Sequence, residues 1–255
     1  MLMDEVDVVL LTKNSSHLLK SCLTSIYQNV PVKNLIVIDG YSTDTTLQIL
    51  DEFNYLHRNI SLFQSDCSRA KARSIGIEHI TSDWFLFVDS DVVLCKDWYK
   101  KAQVDMNDHS GAVWGLNVDV IPNLSFPSVI RLQSIIAREC FKLRGGTHDT
   151  LIRTESVRDI KIPKYLHTYE DAYIIQHIKS KGYKVTVGSQ IYCLHYKPPN
   201  GWSARTGFLQ AGNEFRCGLV YMHLYRYMLF YPAFFFNWLF QVPLNFWKNY
   251  FRNQN

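Results

Sequence analysis

The first half of this sequence alternates short apolar runs with helical patterns, which predicts an α/β fold with a mostly parallel central sheet and flanking helices. The apolar runs are continuous, as is typical of strands that are buried on both faces. Each run is followed by apolar residues at helical spacing. Right-handed crossovers would then place the carboxyl ends of the strands at one edge of the sheet, where α/β sheets bind ligands.

Four strand-and-helix units follow one another in this half. We predict strands at 6–11, 35–38, 60–63 and 84–88. The first helix carries Leu19, Cys22, Leu23, Ile26 and Tyr27 on one face. The second carries Leu47, Leu50 and Phe53, and we predict that Ser42 caps it. The third is basic, because it contains Arg69, Lys71 and Arg73.

The second half has a less regular pattern. It predicts strands at 112–120 and 150–153, helices at 126–141 and 169–181, and two further strands at 184–187 and 190–196. Gly182 ends the second of these helices. Prolines and a glycine at 198–201 mark a boundary. We therefore predict one α/β domain over residues 1–200 and a helical tail over residues 201–255.

The composition limits the possible classes of protein. Hydrophobic residues make up 47% of the 255 residues, which is enough for a sizeable core. The net charge of +4 is too small to indicate nucleic-acid binding, so we expect no nucleic-acid partner. Six cysteines without a CxxC pair argue against a zinc site or a disulfide framework. The acidic first residues lack the features of a signal peptide, so we expect the α/β domain to stay in the cytoplasm.

Two carboxylates directly follow the fourth strand, in the segment Asp89-Ser90-Asp91. Carboxylate oxygens at this edge of a sheet are suited to Mg²⁺ or Mn²⁺. A metal held there can bridge the two phosphates of a nucleoside diphosphate. The segment thus predicts a metal-assisted nucleotide site, while a solvated turn is the simpler alternative.

Other charged residues extend the predicted site. Asp39 ends the second strand, where its carboxylate can accept hydrogen bonds from a ribose or a base. Arg69 and Arg73 lie four residues apart on one helix, which suits a pyrophosphate, although an exposed basic face would give the same pattern. His195 ends a strand and could complete the metal site.

Glu170 and Asp171 open a helix. The helix dipole favours carboxylates at this position, so a purely structural role is an alternative. The functional interpretation is a general base that removes the proton from an acceptor hydroxyl.

Five motifs in this order resemble the family two glycosyltransferases of the GT-A fold. Residues 8–14 read VVLLTKN and residues 36–44 read IVIDGYSTD, which resemble the family's opening. The segments ARSIGI at 72–77, FVDSD at 87–91, and YED at 169–171 with KGY at 181–183 resemble its Ala-Arg-Asn helix, its DxD motif and its acidic catalytic helix. The resemblance covers three quarters of the chain, from about residue 6 to residue 195.

The resemblance implies an inverting, metal-dependent transfer of a sugar from a UDP- or GDP-sugar. Asp171 would be the base, with Glu170 beside it. Thr12, Asn14, Asp39, Arg69, Arg73, Asp89 and Ser90 would bind the nucleotide sugar. Asp91, Asp89 and His195 would bind Mg²⁺ or Mn²⁺, and Gly146, Thr147 and Asp149 would lie in the acceptor region.

The sequence departs from the family pattern at four positions. The usual second aspartate of the Asp-Asp-Gly-Ser element is absent, because Ile38 precedes a single Asp39. Tyr41 precedes Ser42, Ser74 replaces an asparagine, and Asp149 stands where a glycine often occurs. A sugar-phosphate nucleotidyltransferase would need a glycine-rich first loop, and residues 12–16 contain no glycine. A catalytically inactive nucleotide-sugar-binding or membrane scaffold protein remains the alternative.

The tail is unusually aromatic. Residues 221–251 contain 14 of the 36 aromatic residues. His223, Arg226, Asn237 and Pro232 interrupt the apolar run, so we predict interfacial helices, broken near Pro232 and Pro243, rather than a membrane span. We therefore expect a peripheral or tail-anchored protein on the cytoplasmic face of a membrane and a lipid-linked acceptor. A homodimer interface or a closed domain core would also account for these aromatics.

Overall fold

The centre of the α/β domain is an eight-stranded sheet in the computed structural model, which describes residues 5–120, 138–139, 142, 144–166, 168–196 and 212–229. The chain divides into two units, Met1–Pro199 and Asn200–Asn255. The strands of the first unit are β1 (Val6–Thr12), β2 (Val32–Asp39), β3 (Ile60–Gln64), β4 (Trp84–Asp89), β5 (Val92–Leu94), β6 (Ser110–Val120), β7 (Asp149–Arg153) and β8 (Lys184–Tyr196). The helices are α1 (Ser16–Asn29), α2 (Thr46–His57), α3 (Arg69–Glu78), α4 (Trp98–Val104) and α5 (Glu170–Ser180), and a 3-10 turn spans Thr154–Val157.

The strand order is β3-β2-β1-β4-β7-β6-β8-β5. Strands β1 to β4 are parallel to one another, and β6 is parallel to β8. Only β7 and β5, among the strands that the structure describes, run against their neighbours. The predicted α/β fold with a mostly parallel sheet and flanking helices is therefore confirmed.

Two apolar layers cover the two faces of the sheet. Alternate residues of β1 belong to different layers, with Val8 and Leu10 in one and Val9 in the other. Helices α1, α2 and α4 contribute to the first layer, and α3 and α5 contribute to the second. Because both faces are covered, β1 is a continuous apolar run, as the sequence indicated.

The parallel strands bring their carboxyl ends to one edge. Thr12 at the end of β1 is paired with Asp39 at the end of β2, and Leu11 is paired with Asp89 at the end of β4. The three polar segments that follow these strands therefore begin side by side, which is where parallel α/β sheets bind ligands.

Two predictions about individual elements are wrong. Ser42 does not cap α2, which begins at Thr46 with Thr45 at its N-cap; Ser42 instead donates to Asp39. The two strands predicted at 184–187 and 190–196 are one strand, β8. Its pairing with β6 shifts between Trp114 and Leu116, so the Gly188-Ser189 segment is accommodated as an irregularity rather than a turn.

Two short elements, β5 and α4, were not predicted. Both are too short to show a clear periodicity, since β5 has 3 residues and α4 has 7. The helix predicted at 126–141 lies almost entirely outside the described residues.

The second unit is described over residues 212–229. It contains a π-helical turn at Cys217–Tyr221 and a short helix at Tyr225–Met228. The aromatic segment after residue 229 lies outside the described part of the chain. Among the residues that the structure describes, no helix has the length and apolar character needed to cross a membrane.

Candidate active site

Asp39 is the centre of a buried polar cluster between the first two loops of the sheet edge. Its side chain accepts hydrogen bonds from Thr12 Oγ1 at 2.8 Å and from the Ser42 backbone N–H at 2.8 Å. Burial would raise the pKa of Asp39, but the hydrogen bonds from Ser42, Thr12 and Gln64 outweigh this effect and lower it. Asp39 therefore carries a fixed negative charge, although it is 0% exposed.

Asn14 connects the same two loops. Its backbone N–H donates to Ser42 Oγ at 2.8 Å, and its Oδ1 accepts from the Thr43 backbone N–H at 2.8 Å. Asn14 has a positive φ of 50°, a conformation that asparagine tolerates better than most residues. The structure thus brings Thr12, Asn14 and Asp39 together, as predicted, and gives Asn14 a role in holding the loops.

The Asp89-Ser90-Asp91 segment joins β4 to β5. Ser90 Oγ lies 2.8 Å from Ser15 Oγ, which ties the segment to the start of α1. Asp91 Oδ2 lies 3.1 Å from His195 Nε2, because β5 pairs Val92 with His195 on β8. Two of the three predicted metal ligands, Asp91 and His195, are therefore adjacent in space, although they are 104 positions apart.

The Asp91–His195 pair has the chemistry of a site for a divalent cation. Burial would raise the pKa of Asp91, but the hydrogen bond and the charge of His195 outweigh burial and lower it. The side chains of Asp91 and His195 keep 36% and 21% of their surface exposed. A carboxylate and an imidazole that remain accessible would fit Mn²⁺ or Mg²⁺ once the imidazole is neutral.

Arg73 links the DxD segment to the acidic helix. Its Nη2 lies 3.1 Å from Asp89 Oδ1, and its Nε lies 3.4 Å from Glu170 Oε1. The guanidinium also packs 4.9 Å from the centre of the Phe87 ring. Burial would lower the pKa of Arg73, but the charges of Asp89 and Glu170 raise it.

This position of Arg73 differs from the exposed basic face that was an alternative for α3. The Arg73 side chain is 4% exposed, whereas Arg69 is exposed. One oxygen of Asp89 is therefore used by Arg73. Of the two predicted pyrophosphate contacts, Arg69 is the one on the surface.

Glu170 and Asp171 begin α5. Tyr169 precedes them with a left-handed backbone at φ 67° and a side chain that is 1% exposed. Burial and the neighbouring Asp171 charge raise the pKa of Glu170, while Arg73 opposes the shift. Asp171 accepts from Arg144, whose Nη2 lies 3.0 Å from Asp171 Oδ2. Glu170 is thus an interior group, and Asp171 lies closer to solvent.

Gly146 and Thr147, which were predicted to lie in the acceptor region, are in a buried loop before β7. The Gly146 carbonyl accepts from Thr150 Oγ1 at 2.8 Å. Thr147 is 2% exposed and Asp149 is 0% exposed. The assignment of Asp149 to an acceptor surface is therefore wrong, because it is the first residue of β7 and points into the core, where Trp98 Nε1 donates to it at 2.9 Å.

Asp149 belongs to a buried group that sequence reasoning missed. Ligand atoms of His148, Asp149 and Cys193 all lie within 4.8 Å of one another. Burial lowers the pKa of His148 to about 4 and raises the pKa of Asp149 to about 8. Both shifts favour the uncharged forms of the two side chains, and their cause is burial. A histidine and an aspartate in an apolar strand were the only signal in the sequence.

Residues 7–154 match the profile of the family described as Glycosyl transferase family 2. An uncharacterized glycosyltransferase of Haemophilus influenzae is 26% identical over 156 residues, which cover 58% of this chain and 60% of that protein. The poly(ribitol-phosphate) beta-N-acetylglucosaminyltransferase TarS of Staphylococcus aureus is 28% identical over 181 residues, covering 66% and 31%. The chain thus spans less than two thirds of the length of these relatives.

Solved structures show the same fold. TarS residues 1–349 in complex with UDP-GlcNAc gives a TM-score of 0.59 at 21% identity, covering 82% of this chain and 66% of that one. The mannosyltransferase PcManGT of Pyrobaculum calidifontis, in complex with GDP-Man and Mn²⁺, gives a TM-score of 0.63 at 18% identity, covering 78% and 59%. The predicted GT-A fold is confirmed by these matches.

Proposed function

Because this chain belongs to glycosyl transferase family 2, we propose that it transfers a sugar from a nucleoside-diphosphate donor to an acceptor hydroxyl. The main observation in support of this proposal is an ionic link made by Arg73. The Arg73 guanidinium joins the end of β4, at Asp89, to the start of α5, at Glu170. A nucleotide-binding edge and a candidate base, Asp171, are thus parts of one connected site.

The donor side is assigned to the loops after β1, β2 and β4. Thr12, Asn14 and Asp39 form the nucleoside side of the site, where the buried Asp39 carboxylate orients Thr12 and Ser42. Arg69, Ser90 and Asp89 bind the ribose and the diphosphate. Asp91 and His195 hold Mg²⁺ or Mn²⁺, which would stabilise the charge of the departing diphosphate. A UDP- or GDP-sugar is supported by the UDP-GlcNAc and GDP-Man in the structures of similar proteins.

Asp171 is the proposed general base. It accepts the proton of the acceptor hydroxyl while the oxygen forms a bond to the anomeric carbon. The bond from this carbon to the diphosphate oxygen breaks, and the nucleoside diphosphate leaves with the electron pair. A single displacement of this kind inverts the anomeric configuration. Glu170 is buried, so its proposed role is to hold Arg73 and the start of α5 in place.

The proposed acceptor is a glycan or a polyol-phosphate chain that is carried on a lipid. Two observations support a phosphate-rich acceptor: TarS acts on poly(ribitol-phosphate), and a teichoic acid poly(glycerol phosphate) polymerase of Staphylococcus epidermidis is 24% identical over 189 residues. The aromatic composition of the tail supports a further role for this segment, either in binding the cytoplasmic face of a membrane or in a dimer contact.

The alternative is an inactive nucleotide-sugar-binding or scaffold protein. Two measurements distinguish it from the proposed enzyme. We expect UDP- or GDP-sugars with Mn²⁺ to raise the melting temperature, since a ligand that binds only the native state stabilises it. We also expect slow release of free nucleotide from the same donor, with water as the acceptor. Stabilisation without any release of nucleotide would favour the scaffold, and neither effect with any donor would refute the proposed function.

A further inference from the structure

Arg144 covers the carboxylate that is proposed as the base. Its Nη2 lies 3.0 Å from Asp171 Oδ2 and 3.2 Å from Asp171 Oδ1. The guanidinium also packs 4.6 Å from the centre of the Tyr169 ring. The Arg144 side chain is 27% exposed and the Asp171 side chain is 14% exposed. This ion pair therefore lies at the surface of the site, where an acceptor would enter.

The backbone next to Arg144 is held against the acidic helix. Gly145 has a positive φ of 86°, and a Cβ at this position would lie 2.6 Å from Ile175 Cγ1 on α5. Only glycine fits this close approach without displacement of the helix. The backbone from which the Arg144 side chain extends is consequently held close to α5 at Ile175.

In this arrangement Arg144 competes with an acceptor hydroxyl for the oxygens of Asp171. Both Asp171 oxygens lie within hydrogen-bond distance of the same Arg144 nitrogen. An acceptor hydroxyl that donates to Asp171 must compete with a charged donor, and charge-assisted hydrogen bonds are the stronger kind. A group on the acceptor that takes over the guanidinium would remove this competition.

We propose that Arg144 binds a phosphate adjacent to the reacting hydroxyl of the acceptor, and that this exchange of partners frees Asp171 to take the proton. A guanidinium binds phosphate oxygens with the same two-pronged geometry that it uses for a carboxylate. The inference rests on the proposed function and specifies its acceptor as a phosphate-bearing alcohol.

Arg73 does not offer the same contact. Its side chain is 4% exposed and lies between two carboxylates, whereas Arg144 retains 27% exposure. Displacement of Arg73 would leave Glu170 buried without a cation, which is costly. Arg144 is therefore the cation near the base that an acceptor can reach and redirect.

The test measures binding of a soluble polyol phosphate and does not depend on turnover. Ribitol 5-phosphate is titrated into the full chain by ligand-observed NMR, with ribitol as the uncharged comparison. We expect Arg144→Gln to weaken ribitol 5-phosphate binding on the order of tenfold, the loss of one charged contact. We expect Asp171→Asn to strengthen the binding, because it releases Arg144 from its carboxylate partner.

The matched controls are two other basic residues. Lys142→Gln changes a nearby exposed lysine that pairs with Glu139, and should leave binding unchanged. Arg69→Gln tests whether the probe instead occupies the proposed donor site. Circular dichroism and thermal melting of each variant confirm that it is folded.

Opposite effects of Arg144→Gln and Asp171→Asn would support the inference, since a merely structural ion pair would give losses of the same sign. Equal losses in both variants, no change in either, or a loss confined to Arg69→Gln would overturn it. Phosphatidylglycerol vesicles are the second probe. If Arg144→Gln weakens binding to the vesicles but not to ribitol 5-phosphate, the phosphate that Arg144 binds is that of a lipid headgroup. The proposed function has a separate test: it is refuted if no nucleotide sugar binds to the wild-type protein.

Discussion

Arg73 Nε lies 3.4 Å from Glu170 Oε1, and neither side chain is more than 5% exposed. The same guanidinium reaches Asp89, so one buried cation connects the edge of the sheet to the acidic helix. The connection is between residues 97 positions apart. It fixes the distance between the proposed diphosphate site and the proposed base.

Replacement of Arg73 by methionine should destabilise the protein. It leaves Glu170 buried without a cation, and removal of one partner of a buried pair costs about 3–5 kcal/mol. The free energy of unfolding in urea measures this cost. Arg69→Met, on the exposed face of the same helix, is the control and should change it by less than about 0.5 kcal/mol. Similar values for the two variants would contradict the buried link.

Asp171→Asn should affect chemistry rather than donor binding. Loss of a general base lowers kcat by roughly 10²-fold or more. Donor affinity, measured by calorimetry, should stay within about twofold of wild type, because the proposed contact of Asp171 is with the acceptor and not with the donor. A variant with a normal kcat and weak donor binding would move Asp171 to the donor site. NMR of the wild-type product should show an inverted anomeric configuration, and retention would refute single displacement.

Asp91→Asn and His195→Gln should each weaken Mn²⁺ binding. An amide cannot replace the charge of a carboxylate ligand, and glutamine is a poor substitute for imidazole. Electron paramagnetic resonance of free Mn²⁺ measures this without any assay of turnover. His109→Gln changes an exposed histidine and serves as the control. EDTA should abolish sugar transfer by the wild type, and full transfer in EDTA would exclude a metal-dependent reaction.

Asp149 should make stability depend on pH. Burial raises the pKa of this carboxyl from 3.8 to about 8 in the folded protein. The folded state therefore binds the proton more tightly, and stability from this group is lost as pH rises from about 4 to about 8. The free energy of unfolding should fall by at most about 1.4 kcal/mol per pH unit because of this group. Asp149→Asn keeps an acceptor for Trp98 Nε1 and should remove this dependence.

Urea unfolding of the wild type and Asp149→Asn at pH 5, 6, 7 and 8 measures the effect as a difference. Subtraction removes the contribution of groups that do not contact Asp149. His148 is not among them, because its Nε2 lies 3.2 Å from Asp149 Oδ1, and its lowered pKa of about 4 acts in the opposite direction. A difference that is constant with pH would show that Asp149 is ionised in the folded protein across this range.

The aromatic tail should bring the full chain to membranes. Trp and Tyr prefer the headgroup interface, and nearby basic side chains favour anionic lipid. Flotation with phosphatidylglycerol vesicles, compared with a chain that ends at Cys217, measures this. If both forms stay in the soluble fraction, the membrane proposal and its support for a lipid-linked acceptor are lost.

Much of the first half could be predicted from sequence because its signals are local. The apolar runs of β1 to β4 and the polar residues that follow them, such as Asp39 and Asp89, lie within short segments with clear periodicity. The predicted neighbours Thr12 and Asp39 are directly paired because adjacent parallel strands end together.

The remaining features depend on contacts between distant residues. Burial of Arg73 requires Glu170 to approach from α5, and nothing near Arg73 in the sequence indicates this. Asp149 reads as a polar loop residue beside Gly145 and Gly146, but the antiparallel pairing of β7 with β4 carries it into the core. Gly115 leaves the space for its carboxylate, since a Cβ there would lie 1.9 Å from Asp149 Oδ2.

The pairing of β5 with β8 has a consequence for the order in which the molecule is assembled on the ribosome. Asp91 emerges early, but His195 follows 104 residues later and reaches it only when β8 has joined the sheet. A nascent chain that already contains β1 to β4 therefore has the Asp39 cluster without the Asp91–His195 pair. Contacts of such long sequence separation form late in folding. Any cation site at this pair would thus form only in the nearly completed domain, after the loops that follow β1, β2 and β4 have been synthesised.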